Sequence, residues 1–242
     1  MVDCGMDLHE FRVLSFDCYG TIVDWETGIL SNIRPWLDTR GAVIEDVEIL
    51  EAFGRAESDE EAADPRAPYP TILGRVHARL AAEWNLIPDA SAAVRFGGSV
   101  GVWPVFSDSR RALTDLKRRY RLVILSNVDR ASFGESQRQL GVELDAVYTA
   151  EEIGSYKSDP KNFAHLIDSE QVAGFHQSEI LHVGQSLYHD HVPASDAGLS
   201  TCWIQRPTPA GDHGAARPPR NRPQVDFHFT SLEELAAAAA QS

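Results

Sequence analysis

A run of apolar residues that ends in an aspartate and a glycine turn restricts the fold of this chain more than any other stretch. Val13, Leu14 and Phe16 have the character of a buried parallel strand, and Asp17 follows directly, with Gly20 allowing a sharp turn. Open α/β sheets place their ligands at the carboxyl ends of such strands, so Asp17 is a candidate nucleophile, metal ligand or general base. An aspartate also commonly caps a turn, and this short stretch alone leaves both interpretations open.

Strand-like and helix-like segments alternate along much of the chain, which predicts an α/β fold with a mostly parallel, Rossmann-like sheet. Further strands are predicted at residues 121–125, 146–149, 179–183, 201–204 and 227–229. Residues 25–102 show only helical spacing, which predicts a helical cap inserted after the first strand. We therefore expect a catalytic core of residues 1–24 and 103–242 and a cap domain of residues 25–102.

Two polar stretches of the sequence are predicted to be exposed to solvent. Residues 57–61 are almost all acidic, which is typical of a solvated helix end. Residues 207–223 are rich in proline, glycine and arginine without periodicity, which predicts a flexible surface loop.

The charge and cysteine content exclude several classes of function. The formal net charge of -14 speaks against a broad surface for nucleic acid or an anionic membrane, although one local cation can still bind a small anion. The three cysteines (Cys4, Cys18 and Cys202) are far apart, which fits a reducing compartment and no disulfide framework. The start of the sequence is charged and no apolar run reaches a membrane span, so we predict a cytoplasmic protein that does not enter a membrane.

Polar side chains follow three of the predicted strands, where no hydrophobic core requires them. They are Asp17 with Thr21, Ser126 with Asn127, and the segment 184–190, which contains Gln185, Ser186 and Asp190. In a doubly wound sheet these strand ends converge on one crevice. A loop lysine, Lys157, is expected to join them.

These residues resemble the four motifs of the haloacid dehalogenase-like superfamily. The motifs are Phe-Asp-Cys-Tyr-Gly-Thr, Leu-Ser-Asn, Tyr-Lys-Ser-Asp-Pro and Gly-Gln-Ser-Leu-Tyr-His-Asp, in the expected order and spacing over nearly the whole chain. The helical insert is similar to the cap of that superfamily.

The resemblance implies a role for each site residue. Asp17 would be the nucleophile of a covalent aspartyl intermediate, with Lys157 beside it and Asp190 positioning that lysine or binding a metal. Thr21, Ser126 and Asn127 would orient substrate or carboxylate oxygens. The remaining expected substrate contacts are Cys18, Tyr19, Gln185, Ser186 and Trp25, the last where cap meets core.

Two positions decide between reactions. Phosphatases of this superfamily carry a second aspartate two residues after the nucleophile, where this chain has Tyr19, a poor acid at neutral pH. They also need acidic Mg²⁺ ligands in the last motif, where this chain has Gln185. Both changes match the type II dehalogenase branch, in which no cofactor is needed. The expected reaction releases halide from a short 2-haloacid, and water then hydrolyses the aspartyl ester.

The match to L-2-haloacid dehalogenases is incomplete. They have a tyrosine where this chain has Phe163, and a serine and an asparagine where it has Gln185 and Leu187. They also bind the substrate with a cap arginine, for which the candidates are Arg34, Arg40 and Arg55.

Two alternatives stay open at this point. One is a Mg²⁺-dependent phosphatase with Asp17 and Asp190 as ligands. The other is a non-catalytic member of the fold that binds a small acid or a protein. The expected partner is a small anionic organic substrate. Many enzymes of this family are homodimers, so a second copy is also among the expected partners, although no apolar stripe marks an interface.

Overall fold

A computed structural model of the chain describes residues 7–208 and 214–241. The strands within them are β1 (Val13–Phe16), β2 (Arg121–Ser126), β3 (Ala146–Thr149), β4 (Ile180–Gly184), β5 (Ser200–Ile204) and β6 (Phe227–Phe229). They form one sheet in the order β3-β2-β1-β4-β5-β6, and each neighbouring pair is parallel. The predicted parallel α/β core is therefore confirmed.

Strand β1 lies in the middle of this sheet. All four of its residues are buried, because β2 pairs with it on one side and β4 on the other. Strands β2 and β3 extend the sheet on one side of β1, and strands β4, β5 and β6 extend it on the other side. Such a reversal of strand order opens a crevice at the carboxyl edge, and Asp17 follows β1 at that place.

The described helices belong to two groups. Those of the insert are α1 (Trp25–Asp38), α2 (Asp46–Ala63), α3 (Tyr69–Glu83) and α4 (Ala90–Gly97). Those of the core are α5 (Ser109–Leu116), α6 (Arg130–Leu140), α7 (Ala150–Ile153), α8 (Lys161–Val172), α9 (Val192–Asp196) and α10 (Leu232–Gln241). None of them combines the length and apolar character that a membrane crossing requires.

The helical insert leaves the core and returns to it at one point. The N–H of Asp24 donates to Pro104 O at 2.7 Å, and Val23 forms an antiparallel bridge with Val105. Gly28 of α1 lies against Trp103 so closely that a Cβ atom would be 2.3 Å from the indole ring. The two segments that join the insert to the core are therefore packed tightly. The domain boundaries themselves stay a prediction.

The expectation of a solvated helix end is wrong, whereas that of a surface loop holds for residues 217–223, which are exposed or half-buried, and fails for residues 214–216. Helix α2 continues to Ala63, and Glu57, Glu60 and Glu61 are buried rather than solvated. In the predicted surface loop, Ala215 is buried because its carbonyl packs against Gly54 of α2. Residues 209–213 of that loop lie outside the described part of the chain, as does Cys4. The other two cysteines are buried free thiols.

Candidate active site

The carboxylate of Asp17 is held at the end of β1 by a tight turn. Its backbone N–H donates to Val183 O at 2.9 Å, which extends the pairing of β1 with β4. The carbonyl of Cys18 then accepts the N–H of Ile22 at 2.8 Å, and Gly20 adopts φ +96°, a conformation that favours glycine. The Asp17 side chain is left at the crevice between sheet and cap, with 7% of its residue surface exposed.

Lys157 joins the two predicted carboxylates. Its Nζ donates to Asp17 Oδ1 at 2.9 Å, to Asp190 Oδ1 at 2.6 Å and to Leu125 O at 2.9 Å. An ammonium group has three N–H donors, so all of them are used. The lysine is therefore a fixed buried charge between two acids.

Asp190 is held from several sides on the π-helical turn Leu187–His191. Besides Lys157, its Oδ1 lies 3.3 Å from His182 Nε2, and its Oδ2 accepts the N–H of Ser186 at 3.2 Å. The residue has no exposed surface. This carboxylate is therefore placed to position the lysine and is shielded from substrate.

Burial and ion pairing together set the protonation states of Asp17, Asp190 and Lys157. Burial raises the pKa of Asp17 to about 6, although the neighbouring Lys157 opposes the rise. Burial would also raise the pKa of Asp190, but Lys157 and His182 hold it well below its usual range. Burial works against the charge of Lys157, yet the two carboxylates raise the pKa of Lys157 above its usual range. At neutral pH both acids are therefore ionised and the lysine is charged.

Thr21 holds the other oxygen of the candidate nucleophile. Its Oγ1 donates to Asp17 Oδ2 at 2.8 Å and accepts the N–H of Gln185 at 2.9 Å. The backbone of Gln185 is fixed in turn, because its carbonyl accepts the indole N–H of Trp203 at 2.9 Å. These contacts orient the Asp17 carboxylate from the side opposite the lysine.

Ser126 ends β2 with a hydroxyl group that the protein leaves unused. The residue is only 2% exposed, and its Oγ has no hydrogen-bond partner within residues 7–208 and 214–241. It lines the same cavity as Asp17 and Lys157. A buried hydroxyl without a partner is costly, so this position suits a group that binds a ligand.

Asn127, predicted to contact substrate, lines the same cavity and also holds the backbone of Lys157. Its Oδ1 accepts the N–H of Lys157 at 2.6 Å and its Nδ2 donates to Lys157 O at 2.9 Å. The same Nδ2 lies 3.2 Å from Glu61 Oε1 of the cap. The amide therefore links the position of Lys157 to the cap.

The other predicted substrate contacts differ in what they offer to the cavity. Tyr19, Trp25 and Ser186 line it. The Tyr19 hydroxyl lies 3.0 Å from Ser136 Oγ, so it is already paired. The thiol of Cys18 is buried outside this lining, and burial raises its pKa well above the usual range. Cys18 therefore acts in this structure through its backbone turn.

The cap contributes acids that the sequence interpretation missed. Glu57 of α2 lines the cavity with Asp17, and its Oε1 accepts the hydroxyl hydrogen of Tyr69. Burial raises the pKa of Glu57 to about 7, and the pKa of the neighbouring Glu61 is raised well above its usual range. A signal was present, because both residues continue the i, i+4 spacing of buried Ile49 and Phe53 on one face of the helix.

The candidate cap arginines are bound elsewhere. Arg34 pairs with Asp46, Arg40 pairs with Asp89 at 3.0 Å, and Arg55 pairs with Glu83 at 2.8 Å. Of the described residues that line the Asp17 cavity, Lys157 alone carries a positive charge at neutral pH. The cap thus supplies no arginine to this cavity.

Two of the residues that depart from the dehalogenase pattern, Phe163 and Leu187, are buried apolar side chains. Phe163 is buried and packs edge-on against His182, with 4.9 Å between ring centroids. Leu187 is buried at the start of the turn that carries Asp190. Phe163 therefore supports the histidine under Asp190 through its ring.

Comparisons with known proteins give a family and a fold. The sequence matches the family model described as haloacid dehalogenase-like hydrolase over residues 11–198. No curated protein matches it significantly.

Several solved structures are similar over nearly their whole length. The L-2-haloacid dehalogenase from Xanthobacter autotrophicus with chloropropionic acid covalently bound has a TM-score of 0.77 at 18% identity, covering 95% of this chain and 98% of that one. The defluorinating L-2-haloacid dehalogenase Rha0230 has a TM-score of 0.75 at 20% identity, covering 95% of each chain. The HAD-hydrolase YfnB from Bacillus subtilis, bound to magnesium, has a TM-score of 0.73 at 17% identity, covering 95% of this chain and 99% of that one. At these identities the likeness shows the fold alone.

Proposed function

The chain belongs to the haloacid dehalogenase-like hydrolase family, and on this premise we propose that it cleaves carbon–halogen bonds without a metal, through a covalent ester on Asp17. The observation that carries the proposal is the ammonium of Lys157, 2.9 Å from Asp17 Oδ1 and 2.6 Å from Asp190 Oδ1. It keeps a buried carboxylate ionised, as a nucleophile must be. A halide leaves as a stable anion and needs no proton.

The reaction proceeds in two steps at Asp17. A carboxylate oxygen attacks the carbon that bears the halogen, so that a C–O bond forms and the halide departs with the electrons of the broken bond. Water then attacks the ester carbonyl, which releases a hydroxylated product and a proton and restores the carboxylate. Lys157 and Thr21 bind the two oxygens of this group and stabilise the charge that develops on them during ester hydrolysis.

The position of Tyr19 speaks against transfer of a phosphoryl group to the same aspartate. An alkoxide leaving group needs a general acid close to it. The Tyr19 hydroxyl pairs with Ser136 Oγ, and burial raises its pKa well above the usual range. No proton is therefore available from this side chain at neutral pH.

The residues that would hold Mg²⁺ do not fit that ion. The predicted ligands Asp17 and Asp190 both bind Lys157, and Asp190 is also held by His182 and the N–H of Ser186. Within the described residues, no group of three histidine, cysteine, aspartate or glutamate side chains could hold a metal ion. Mg²⁺ is usually bound by one or two carboxylates and several waters, and the oxygens of Asp190 are already engaged by Lys157, His182 and Ser186.

The proposal is tested by measuring halide release from chloro- and bromoalkyl acids and amides, first with EDTA and then with added Mg²⁺. We expect release that resists EDTA and is lost in Asp17→Asn, which removes the nucleophilic charge at nearly constant shape. Turnover in ¹⁸O-labelled water should also place the label in the Asp17 carboxylate, detectable by mass spectrometry of the peptide.

A matched control is Asp24→Asn at the start of α1. Asp24 accepts the N–H of Thr27 as a helix cap, and asparagine caps equally well. This variant should keep its activity. Cleavage of p-nitrophenyl phosphate that needs Mg²⁺, without halide release, would replace the proposal with the phosphatase alternative. Absence of both activities would favour the binding protein.

A further inference from the structure

The cap closes the space above Asp17 with a carboxyl group. The cavity is lined by Glu57, Tyr69 and Trp25 on the cap side and by Asp17, Ser126 and further core residues below, and its volume is about 30 Å³. That is room for one or two small groups around the reacting carbon. Any ligand there would contact a glutamate directly.

A second cavity adjoins the first and extends this acidic lining outward. It has about 260 Å³ and shares Lys157 and His189 with the inner cavity. Glu61 and Ser58 of α2 line it from the cap. A substrate that extends away from Asp17 would therefore meet a second carboxyl group.

Both glutamates present hydrogen-bond acceptors, and nearby hydroxyls are unpaired. Glu57 Oε1 accepts from Tyr69. Glu61 accepts from Asn127. The buried Oγ atoms of Ser126 and Ser58 have no partner among residues 7–208 and 214–241. The two cavities therefore present carboxyl oxygens together with two hydroxyl groups that no described residue binds.

A charged carboxylate would find little compensation in these cavities. The three N–H donors of Lys157 Nζ already bind Asp17, Asp190 and the carbonyl of Leu125. Arg217 lies over Tyr188, with 5.9 Å to the ring centroid, but it is half exposed, and the structure does not place it in the lining of either cavity. Asp17 and Asp190 already share the single charge of Lys157, so a further anion beside them is unfavourable in a medium of low polarity, and more so whenever Glu57 is ionised.

We propose that the substrate is an uncharged haloalkyl compound with a hydrogen-bond donor, such as a 2-haloamide, rather than a 2-haloacid anion. This inference rests on the proposed function. The amide NH₂ donates to Glu57 or Glu61, and the amide carbonyl accepts from Ser126. Asp17 displaces the halide with its electron pair, and water releases the 2-hydroxyamide and a proton.

Two probes of nearly equal size test the inference directly. Chloride release is measured from 2-chloropropionamide and from 2-chloropropionate, each as both stereoisomers, near neutral pH. Release by Asp17→Asn is subtracted, because chloroamides also alkylate thiols. We expect kcat/KM for the amide to exceed that for the acid by about tenfold or more. An acid that is turned over as well as the amide, or better, overturns the inference while the proposed function stands.

The cap acids are tested by the double variant Glu57→Gln with Glu61→Gln, which replaces both carboxyl groups by uncharged amides of nearly the same shape. It should lower the amide-to-acid ratio about tenfold, whereas Glu48→Gln on the exposed face of α2 should leave it unchanged. A ratio that the double variant leaves unchanged contradicts the assigned role of these acids.

Binding of unreactive analogues separates this inference from the proposed function. Acetamide and acetate are added to the intact protein, and the quenching of tryptophan fluorescence is followed, since Trp25 lines the inner cavity. If neither chloro-compound is turned over, the proposed function fails. Tighter binding of acetamide would then still support an uncharged ligand, and tighter binding of acetate would overturn it.

Discussion

At the scale of single residues, Ser126 differs from the other polar residues of the site because its hydroxyl has no hydrogen-bond partner in the described part of the chain. We predict that Ser126→Ala does not lower the free energy of unfolding and raises it by up to about 1 kcal/mol, because it removes a buried hydroxyl without a partner. Its kcat/KM should fall about fivefold, because a hydrogen bond to the substrate is worth about 1 kcal/mol. Steady-state halide release and urea unfolding measure the two effects.

Tyr19→Phe is the comparison variant for Ser126→Ala. The Tyr19 hydroxyl is 3.0 Å from Ser136 Oγ, which lies 3.4 Å from Ser132 O as an alternative acceptor. We expect this change to cost stability rather than activity. If Ser126→Ala were the less stable and the more active of the two variants, the assignment of Ser126 to the ligand would be wrong.

The ionisation of Asp17 predicts how activity depends on pH. Burial raises the pKa of Asp17 to about 6, while Lys157 lowers it, Asp190 raises it and Thr21 lowers it. The ionised form attacks, so kcat/KM should fall about tenfold per pH unit below about pH 6. Thr21→Val removes a hydrogen bond to the charged form and should move the midpoint upward.

Glu57 also faces Asp17 and titrates in a nearby range, so this profile is best recorded in the Glu57→Gln background. A midpoint near the ordinary aspartate value of 3.8 would show that burial does not raise the pKa of Asp17. A downward shift in Thr21→Val would contradict the role of that hydroxyl.

The residues of the site differ in how far the sequence predicts them. Asp17, Ser126 and Gln185 each follow a strand, and parallel strands end at one edge, so their approach to each other follows from topology. Lys157 is placed by the resemblance alone. Glu57 was misjudged because an acidic run looks solvated until the helix is known to lie over the sheet. The roles of these residues stay predictions.

At the scale of elements, the turn after β4 depends on a glycine. A Cβ atom on Gly184 would lie 2.6 Å from Asp190 Oδ2, and this carboxylate is fully buried. We predict that Gly184→Ala displaces Asp190 from Lys157, lowers the free energy of unfolding by about 1–3 kcal/mol and reduces activity more than tenfold. Urea unfolding and halide release test this.

Gly134→Ala in α6 is the matched control. A Cβ atom there would have no heavy atom within 4 Å, so alanine should stabilise the helix by about 1 kcal/mol. Activity should stay at the parent level. Equal activity of the two variants would mean that the turn tolerates the added methyl group.

The helices and strands were largely predictable from apolar spacing. The central strand β1 reads as an apolar run interrupted only by Ser15 because both of its faces are buried, and α1 and α3 show helical spacing. Burial of Ala215 in the predicted surface loop was not predictable, because it depends on the missing side chain of Gly54, far away in sequence.

At the scale of the whole molecule, the buried acid of α2 makes stability depend on pH. The pKa of Glu57 is raised to about 7 in the fold, from 4.5, chiefly by burial. The folded protein therefore holds a proton between about pH 4.5 and 7 that the unfolded chain has released, so stability falls as pH rises through that window. Tyr69, Asp17 and Glu61 face this group and are part of its environment.

Glu57→Gln should remove this loss, because an amide does not ionise. We expect the variant to match the parent near pH 5 and to exceed it by about 1–3 kcal/mol near pH 8 in urea unfolding. Glu48→Gln, exposed on the same helix, should show no such trend. A difference that does not depend on pH would mean that Glu57 is not the group that titrates.

The central place of β1 also bears on how the protein is made. A ribosome synthesises Val13–Phe16 early, yet the strand pairs with β2 on one side and β4 on the other, and β4 ends only at Gly184. A nascent chain must therefore hold this strand unpaired on both edges while the cap is translated, and on one edge until β4 is complete. Asp17 is thus synthesised well before Ser126, Lys157 and Asp190, which form its surroundings.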